Sequence, residues 1–454
     1  MHDDTIAAIA TPTGSGGIGV IRVSGPDSRD ILNSIFVPHS KKSRPTPYLL
    51  RVGHLIDSHK EILDEVMTVF MPGPKSYTGE DLVEIYCHAG AVVLRTILNR
   101  VLQLNCRPAE AGEFSQRRFV NSGEDLSRLE GAADIVAAKT DLAYRLSREH
   151  LIGNYGTYIN NIRHNIVRLL AEIEADIDFP DEDSVGTIGR KMLHKQLDSI
   201  IEELSALNDS YRTGRIIRDG YRVILLGAPN VGKSSLFNKL IKHTRSLVTP
   251  IPGTTRDYIS EWIDIDGLPV ELYDTAGLRT GRGQIEKAGI ALSKKIISKA
   301  DLILYIEDIN NRPKPLAKLN LKKHQQMITV LNKADICKAL KSSELAWVKK
   351  LDSSPLCVIS ARTGRGIKSL LREIHKLAGV SDLTESIVVT SERHKKKIDS
   401  CLIHLKNIRK IIDMPAEIVS LELRQAADTI GEITGHIYTE QILDEIFANF
   451  CIGK

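Results

Sequence analysis

The chain has 454 residues, of which 42% are hydrophobic and 26% are charged, and its formal net charge is +4. This balance is typical of a globular protein of roughly three domains, and it excludes a disordered chain, a collagen-like repeat and a disulfide-rich miniprotein. The charge is too even for a protein that coats nucleic acid. The cysteines are scattered without a Cys-x-x-Cys pair, which indicates reduced thiols in the cytoplasm.

The start of the chain, Met-His-Asp-Asp, is acidic and is not followed by an apolar run, so we expect no secretory signal. The longest apolar runs, such as Val223 to Leu226, have the length of strands, whereas a helix that spans a bilayer needs about 20 apolar residues. We therefore predict a cytoplasmic protein without membrane contact.

Residues 1–120 alternate β-rich runs with helical runs, which predicts a mixed α/β domain. Helical spacing marks 27–35 and 91–104. Glycine and proline turns bound the predicted strands, which are Thr5–Ala10, Gly19–Val23, Tyr48–Ile56, Val66–Phe70 and Leu82–Tyr86.

Residues 121–215 and 380–454 carry apolar side chains at steps of three and four, as from Ile159 to Ile177, and this spacing predicts long amphipathic helices. Residues 216–379 instead contain near-continuous apolar runs, typical of parallel strands buried on both faces. We predict an α/β and α multidomain fold, with the α/β domain inserted into a helical domain built from the two flanking stretches. The predicted parallel strands are Arg222–Leu226, Val270–Tyr273, Leu302–Ile306, Met327–Leu331 and Leu356–Ile359.

The strongest motif is Gly227-Ala-Pro-Asn-Val-Gly-Lys-Ser234, which directly follows a predicted strand and precedes a helical run. It fits the phosphate-loop pattern GxxxxGK[ST] in the required strand–loop–helix context. The backbone N–H groups of such a loop can surround a phosphate at a helix N-terminus. Lys233 is expected to reach the β- and γ-phosphates, and the hydroxyl of Ser234 is expected to bind Mg²⁺.

Further motifs follow the later strands in the order of a Ras-like G domain. Asp274 at a strand end can hold Mg²⁺ through water, and the Gly277 amide can sense the γ-phosphate. The Asp335 carboxylate only accepts hydrogen bonds, so it can take both N–H donors on the Watson–Crick edge of guanine, which adenine lacks. Ser360-Ala361-Arg362 can close over the base. The chain is therefore predicted to bind GTP and GDP.

The predicted GTP-binding residues come from the phosphate loop, a threonine-rich stretch and the motifs after the later strands. They are Asn230, Val231, Gly232, Lys233, Ser234, Ser235, Thr249, Pro250, Ile251, Pro252, Gly253, Thr254, Thr255, Asp274, Thr275, Ala276, Gly277, Asn332, Lys333, Asp335, Ser360, Ala361 and Arg362.

Hydrolysis needs a group that positions water, and Ras-like GTPases place a glutamine after the Asp-x-x-Gly motif for this purpose. Here that position is Leu278, whose side chain cannot hydrogen-bond to water. Polar candidates downstream are Arg279, Gln284 and Glu286. The side-chain oxygen of Asn230 and the oxygens of the stretch 249–257 could hold a monovalent cation in place of an arginine finger.

From end to end, the chain resembles the tRNA modification GTPase MnmE (TrmE) family. The phosphate loop and the Gly253-Thr-Thr-Arg-Asp257 switch also occur in related GTPases. More discriminating stretches are Asp4-Thr-Ile-Ala, Gly16-Gly-Ile-Gly-Val-Ile-Arg22, Ser76-Tyr-Thr-Gly-Glu-Asp-Leu-Val-Glu84, Gly112-Glu-Phe-Ser and, most specific of all, Phe450-Cys-Ile-Gly-Lys454.

The resemblance implies a domain plan and a function. Residues 1–120 would bind tetrahydrofolate and form the homodimer, 121–215 and 380–454 would form the helical domain, and 216–379 would be the G domain. With the flavoprotein MnmG, the enzyme would add an aminomethyl-type group (carboxymethylaminomethyl) to carbon 5 of the wobble uridine of certain tRNAs. The one-carbon unit would come from 5,10-methylenetetrahydrofolate or 5-formyltetrahydrofolate.

The resemblance also implies metal ligands and catalytic residues. Ser234 and Thr255 match the Mg²⁺ ligands, and Glu286 matches a glutamate that orients the hydrolytic water. Cys451, in the Cys-x-Gly-Lys end, is a further catalytic candidate. The K⁺ ligands are matched by Asn230, Thr249, Ile251 and Thr254.

Folate contacts of the family match Arg22, Glu84 and Lys454. A fourth contact is a lysine in an Asn-x-Lys-x-Asp-Leu stretch, and here that position is Gly123. The replacement removes one cationic partner for the folate. We also expect Cys451-Ile-Gly-Lys454 to lie at the folate site.

Two other classes of function remain open. A GTPase that acts as an assembly or checkpoint factor on the ribosome or another RNA shares the phosphate loop with Asn230, but usually carries an RNA-binding domain or a second G domain. A folate-dependent aminomethyl transferase with a regulatory GTPase differs from the leading interpretation only in where the chemistry takes place.

Overall fold

The computed structural model describes residues 4–12, 14, 16–40, 46–178, 190–246, 260–274, 297–310, 322, 325–336, 355–380, 387–448, 450 and 453. The chain divides into two units. The first comprises Met1–Val136, Arg148–Ile200 and Ile403–Lys454, and the second comprises Ala137–Ser147 and Ile201–Leu402.

The first unit contains a seven-stranded sheet in the order β3-β4-β5-β6-β2-β1-β7. Its neighbouring strands are antiparallel, except that β1 and β7 are parallel. The strands are β1 (Ile6–Ile9), β2 (Ile18–Ser24), β3 (Phe36–Pro38), β4 (Arg51–Ile56), β5 (Ile62–Met71), β6 (Leu82–His88) and β7 (Arg107–Pro108).

One face of this sheet packs on two helices, α1 (Ser28–Ile35) and α2 (Ala91–Leu102). Ile21 and Ile85 point to this face and join Leu94 of α2 in one buried cluster. Because side chains alternate along a strand, Arg22 and Glu84 point to the opposite, outer face.

Among the other helices that the structure describes, four are long, with 19 to 25 residues, as the apolar stripes predict. Helix α6 packs along α12, and the Thr434 hydroxyl of α12 donates to Oδ1 of Asn160 in α6 at 3.0 Å. One helix from before residues 216–379 and one from after them therefore pack together within the first unit. The helices are α3 (Glu113–Ser122), α4 (Leu126–Ala137), α5 (Asp141–Leu151), α6 (Asn154–Asp178), α7 (Arg190–Asp209), α8 (Tyr211–Asp219), α11 (Glu392–Ile411), α12 (Ala416–Thr434) and α13 (Glu440–Phe447).

The second unit contains a seven-stranded sheet in the order β14-β13-β12-β8-β11-β10-β9. The five strands from β14 to β11 are parallel, and helices α9 (Lys233–His243) and α10 (Ile367–Ala378) contribute to its buried core. The strands are β8 (Tyr221–Gly227), β9 (Arg245–Ser246), β10 (Ser260–Ile265), β11 (Leu268–Asp274), β12 (Leu302–Asp308), β13 (Gln326–Asn332) and β14 (Leu356–Val358).

The predicted fold class is confirmed: an N-terminal α/β domain, helices from two separated stretches, and an inserted parallel α/β domain. The short edge strands β3 and β7 were not predicted, nor was β10, which lies next to the edge strand β9. No helix among the described residues is long and apolar enough to cross a membrane.

Candidate functional site

The phosphate loop connects the end of β8 to the start of α9 at Lys233. Gly232 caps this helix with φ of +96°, and a Cβ atom at this position would lie 2.3 Å from Nδ2 of Asn332. Only glycine fits this conformation and this close approach. Asn230 in the same loop also has a positive φ, of +64°, which asparagine tolerates better than most residues.

Lys233 and Ser234 contact residues of the phosphate loop and the last residue of β11. The ammonium group of Lys233 is almost buried and donates to the carbonyl oxygens of Gly227 at 3.1 Å and Ala228 at 2.7 Å. The Ser234 hydroxyl donates to Oδ2 of Asp274 at 2.8 Å. Hydroxyl and carboxylate oxygens are hard ligands of the kind that Mg²⁺ prefers, so this pair fits the predicted metal.

Asn332 joins the phosphate loop to the segment after β14. Its Nδ2 donates to the Val231 carbonyl at 2.9 Å, and its Oδ1 accepts from the Ala361 amide at 2.9 Å. The side chain is 2% exposed. Because both ends of the amide are used, Asn332 fixes the phosphate loop relative to the segment that is predicted to close over the base.

Asp335, the carboxylate predicted to recognise the base, is held by a serine. The Ser360 hydroxyl donates to Oδ1 of Asp335 at 2.7 Å and accepts from the Thr363 amide at 3.1 Å. The Ser360 hydrogen bond holds the pKa of Asp335 below its usual value. Asp335 therefore stays an ionised acceptor, as recognition of guanine requires.

Sequence reasoning missed Asp308, which ends β12. Its Oδ2 lies 2.7 Å from Nζ of Lys333, and Lys333 has a positive φ of +67°. Burial raises the pKa of Asp308, but the hydrogen bond from Lys333 contributes to a larger opposite effect that leaves it below the usual value. The signal in the sequence was its position two residues after the predicted strand Leu302–Ile306.

In the first unit, Arg22 of β2 lies directly opposite Glu84 of β6. Nε and Nη2 of Arg22 both donate to Oε1 of Glu84, at 3.0 and 2.7 Å, and both side chains are mostly buried. The Arg22 guanidinium also lies 4.9 Å from the Tyr77 ring centre and 5.6 Å from that of Phe114. The aromatic neighbours were not predicted.

The end of the chain contacts this cluster through Gly453. Nη1 of Arg22 donates to the Gly453 carbonyl at 3.2 Å. Gly453 is buried, with φ of +88°, and a Cβ atom there would lie 2.4 Å from the Ile9 carbonyl oxygen. The position therefore requires glycine. We call Arg22, Glu84, Tyr77, Phe114 and Gly453 the Arg22 cluster.

Tyr86 adds a further hydrogen bond to the cluster. Its hydroxyl donates to Oε2 of Glu84 at 2.6 Å. Burial, together with this bond to a carboxylate, raises the pKa of Tyr86 to about 12. Both oxygens of Glu84 are thus used by neighbours, which fixes the orientation of its carboxylate.

Gly123 caps α3 with φ of +63°, and its amide donates to the Phe119 carbonyl at 3.0 Å. A Cβ atom at this position would have no atom within 4 Å. The position is thus open to a side chain in space but strained in backbone conformation.

Several predicted residues lie outside the described part of the chain. They are Thr249, Pro250, Ile251, Pro252, Gly253, Thr254, Thr255, Thr275, Ala276, Gly277, Glu286, Cys451 and Lys454. Within the described part, the structure brings together the phosphate-loop and base-recognition residues in one unit, and Arg22, Glu84 and the Gly453 carbonyl in the other.

Comparison with known proteins identifies the family to which the whole chain belongs. The family model for the MnmE helical domain matches residues 126–451, and the one for the N-terminus of GTP-binding protein TrmE matches residues 5–123. The chain belongs to the MnmE family of tRNA modification GTPases. MnmE of Desulforamulus reducens is 39% identical over 466 residues, and that of Symbiobacterium thermophilum is 39% identical over 464, with complete coverage of both chains in each case.

Among solved structures, the G domain of the T. maritima FeoB iron transporter is 28% identical, with a TM-score of 0.27, and the match covers 35% of this chain and 98% of that one. As a member of the MnmE family, this protein is an enzyme, a GTPase.

Proposed function

We propose that this MnmE family member is a K⁺-activated GTPase that works with the flavoprotein MnmG in the cytoplasm. Together they add a carboxymethylaminomethyl-type group to carbon 5 of the wobble uridine of certain tRNAs, with a folate as the one-carbon source. The observation that carries the proposal is the 39% identity, over the full length, to a tRNA modification GTPase, together with the contact between Arg22 and Gly453. The proposed domains are 1–120, 121–215, 216–379 and 380–454.

For GTP, support comes from the acceptor Asp335 and from Asn332, which links the two ends of the site. Mg²⁺ would be held by Ser234 and Thr255. Asn230, with Thr249, Ile251 and Thr254, would hold K⁺, which supplies positive charge near the phosphates when bound. Glu286 would orient the hydrolytic water, because Leu278 offers no hydrogen bond.

For the folate, support comes from the chemistry of the Arg22 cluster. A guanidinium with an anchored carboxylate can pair with the polar edge of a pterin, and Tyr77 and Phe114 offer aromatic surface for a flat ring. Lys454 directly follows Gly453, whose carbonyl accepts from Arg22, and this contact supports Lys454 as a further partner of the folate. Cys451, two residues earlier, is proposed to act on the one-carbon unit, which requires a partly ionised thiol.

For the homodimer, support comes from apolar side chains on the outer face of the first sheet. Val37, Val52 and Met67 are 46%, 48% and 37% exposed, and Leu49 and Leu50 just before β4 are about half exposed. Large exposed apolar surface of this kind marks protein–protein contacts. The proposed partner at this face is a second copy of the chain.

The test is mass-spectrometric analysis of tRNA nucleosides from cells that lack the gene and carry a plasmid copy. Wild type is expected to restore the modified wobble uridine, whereas Cys451→Ser and Glu286→Ala are not. The Cys451→Ser protein should keep normal GTP hydrolysis, and the Glu286→Ala protein should keep normal GTP affinity but lose turnover. Unchanged tRNA in the deletion strain, with a defect in ribosomal particles instead, would favour the assembly-factor alternative.

A further inference from the structure

Three side chains that the proposed function does not use meet on the first sheet. They are His39, just after β3, His54 of β4, and Glu65 of β5. Nε2 of His39 lies 3.4 Å from Nε2 of His54 and 3.5 Å from Oε1 of Glu65. All three donor atoms lie within 4.8 Å of one another.

Strand pairing brings these side chains together. Glu65 is directly opposite His54 in the β4–β5 pair, and Val37 is directly opposite His54 in the β3–β4 pair. The His39 amide donates to the Val52 carbonyl at 3.2 Å, which continues the β3–β4 pairing beyond the strand. Since side chains alternate along a strand, His39 lies on the same face as Val37, diagonally across from His54.

We infer that His39, His54 and Glu65 form a binding site for a divalent cation of the zinc class. Zinc lies about 2.0–2.1 Å from its nitrogen ligands in tetrahedral geometry, which places two ligand atoms about 3.3–3.4 Å apart. The distance of 3.4 Å from Nε2 of His39 to Nε2 of His54 has this value, and the distance of 3.5 Å to Oε1 of Glu65 is only slightly longer. The Glu65 side chain is 58% exposed, so its carboxylate can turn to shorten the remaining separation from His54.

The competing interpretation is an ordinary hydrogen-bonded pair of histidines. Hydrogen bonds with an N–H donor are usually about 2.7–3.2 Å long, so 3.4 and 3.5 Å are long for such bonds. The two imidazole rings are tilted by 57° with their centres 4.6 Å apart, so they are not stacked face to face. Two nitrogen atoms facing each other at this distance fit two ligands of one ion better than one hydrogen bond.

The donor set selects the kind of metal. Two imidazole nitrogens and one carboxylate suit Zn²⁺, Co²⁺ and Ni²⁺, whereas Mg²⁺ and Ca²⁺ favour oxygen ligands. Three ligands from the protein leave a fourth position for water, as in other three-ligand zinc sites. Because the ligands come from β4, its neighbour β5 and the residue that follows its other neighbour β3, a bound ion would fasten this edge of the sheet and stabilise the folded domain.

The experiment uses Co²⁺ as a spectroscopic substitute for Zn²⁺. The full-length protein is stripped with a chelator, saturated with Mg²⁺ and GDP so that the nucleotide site is filled, and titrated with Co²⁺. We expect the visible absorption of tetrahedral Co²⁺ to saturate at one ion per chain, and the melting temperature to rise with Zn²⁺. His54→Gln and Glu65→Gln should each weaken Co²⁺ binding by more than the 10–100-fold typical of an outer-shell change.

His59→Gln is the matched control, because His59 is an exposed histidine in the turn between β4 and β5. It should bind Co²⁺ like wild type. An unchanged cobalt spectrum in His54→Gln, equal loss in His59→Gln, or a sulfur-to-cobalt charge-transfer band would overturn the inference. Light scattering on the same samples separates this site from the proposed homodimer: His54→Gln should lose Co²⁺ while it keeps the oligomeric state of wild type.

Discussion

Arg22 and Gly453 are 431 positions apart in the chain, yet Nη1 of Arg22 donates to the Gly453 carbonyl at 3.2 Å. The same guanidinium holds Glu84 through its other two nitrogens. One side chain therefore orients a carboxylate of the sheet and the end of the chain together. A change at Arg22 should disturb both, while the nucleotide site lies in the other unit.

Arg22→Lys is expected to lower the affinity for a tetrahydrofolate by about tenfold or more and to abolish wobble-uridine modification. Lysine keeps the charge, but it lacks the planar guanidinium whose several N–H groups donate to Glu84 and Gly453 at the same time. Binding is measured by calorimetry, and GTP hydrolysis on the same preparation should match wild type. Arg29→Lys is the control, because Arg29 also lies over an aromatic ring, that of Phe70. Equal folate affinity in Arg22→Lys and wild type would contradict the role of Arg22.

Gly123→Lys tests the position where the family has a lysine. The new side chain has space, but φ of +63° should cost about 1–2 kcal/mol of folding stability. Folate affinity should rise if the added ammonium reaches the ligand. Gly123→Ala carries the same backbone cost without the charge, so both variants should melt at similar temperatures and only the lysine variant should bind folate more tightly. Identical folate binding in the two would show that this position does not contact the ligand.

Asp335→Asn should exchange the nucleotide preference. The carboxylate can accept two N–H donors from guanine, whereas asparagine presents one donor and one acceptor, which match the carbonyl and the N–H of xanthine. GTP affinity is expected to fall by roughly a hundredfold and XTP affinity to rise. Ser360→Ala, which removes only the hydroxyl that holds Asp335, should weaken GTP binding slightly without favouring XTP. Retention of full GTP affinity by Asp335→Asn would refute guanine recognition by this carboxylate.

Replacement of K⁺ by Na⁺ at constant ionic strength should lower the GTPase rate steeply. An arginine finger that supplies positive charge near the phosphates raises the rate of hydrolysis by about a thousandfold or more. K⁺ is proposed to supply this charge here. In Asn230→Ala the two salts should give the same low rate, while GDP affinity stays close to that of wild type. Steady-state phosphate release measures both effects, and equal rates of the wild type in the two salts would exclude a K⁺ site.

The parallel strands of the second sheet could be predicted because burial on both faces makes them continuous apolar runs, such as Leu302–Ile306. β10 could not, because it alternates polar and apolar residues near the sheet edge, and it lies antiparallel to β11. The phosphate loop and Asp335 each follow a predicted strand. Because the strands are parallel, their carboxyl ends lie on the same side of the sheet, and this alone predicts that the two segments lie close together. The contact between Asp308 and Lys333 depends on which strands are neighbours, which one sequence does not show.

The Arg22 cluster was harder to predict for the same reason. Arg22 and Glu84 are 62 positions apart and meet only because β2 pairs with β6 in a register that sets them opposite. Resemblance to a family suggested both residues, but the aromatic rings of Tyr77 and Phe114 belong to segments with no pattern that points to Arg22. The His39–His54–Glu65 cluster was missed because its three donors come from β4, from β5 and from the residue that follows β3, which meet only through strand pairing.

The packing of α6 against α12 has a consequence for synthesis on the ribosome. The apolar stripe of α6 is complete once Asp178 is made, but its partner begins only at Ala416. The ribosome adds about 5–20 residues per second, so the partner helix begins to be made on the order of ten to fifty seconds after α6 is complete. The strands and helices between them include a whole parallel sheet that can fold during this interval. Newly made α6 therefore exposes its apolar stripe during this interval, and a chaperone that binds apolar helices is expected to act on it.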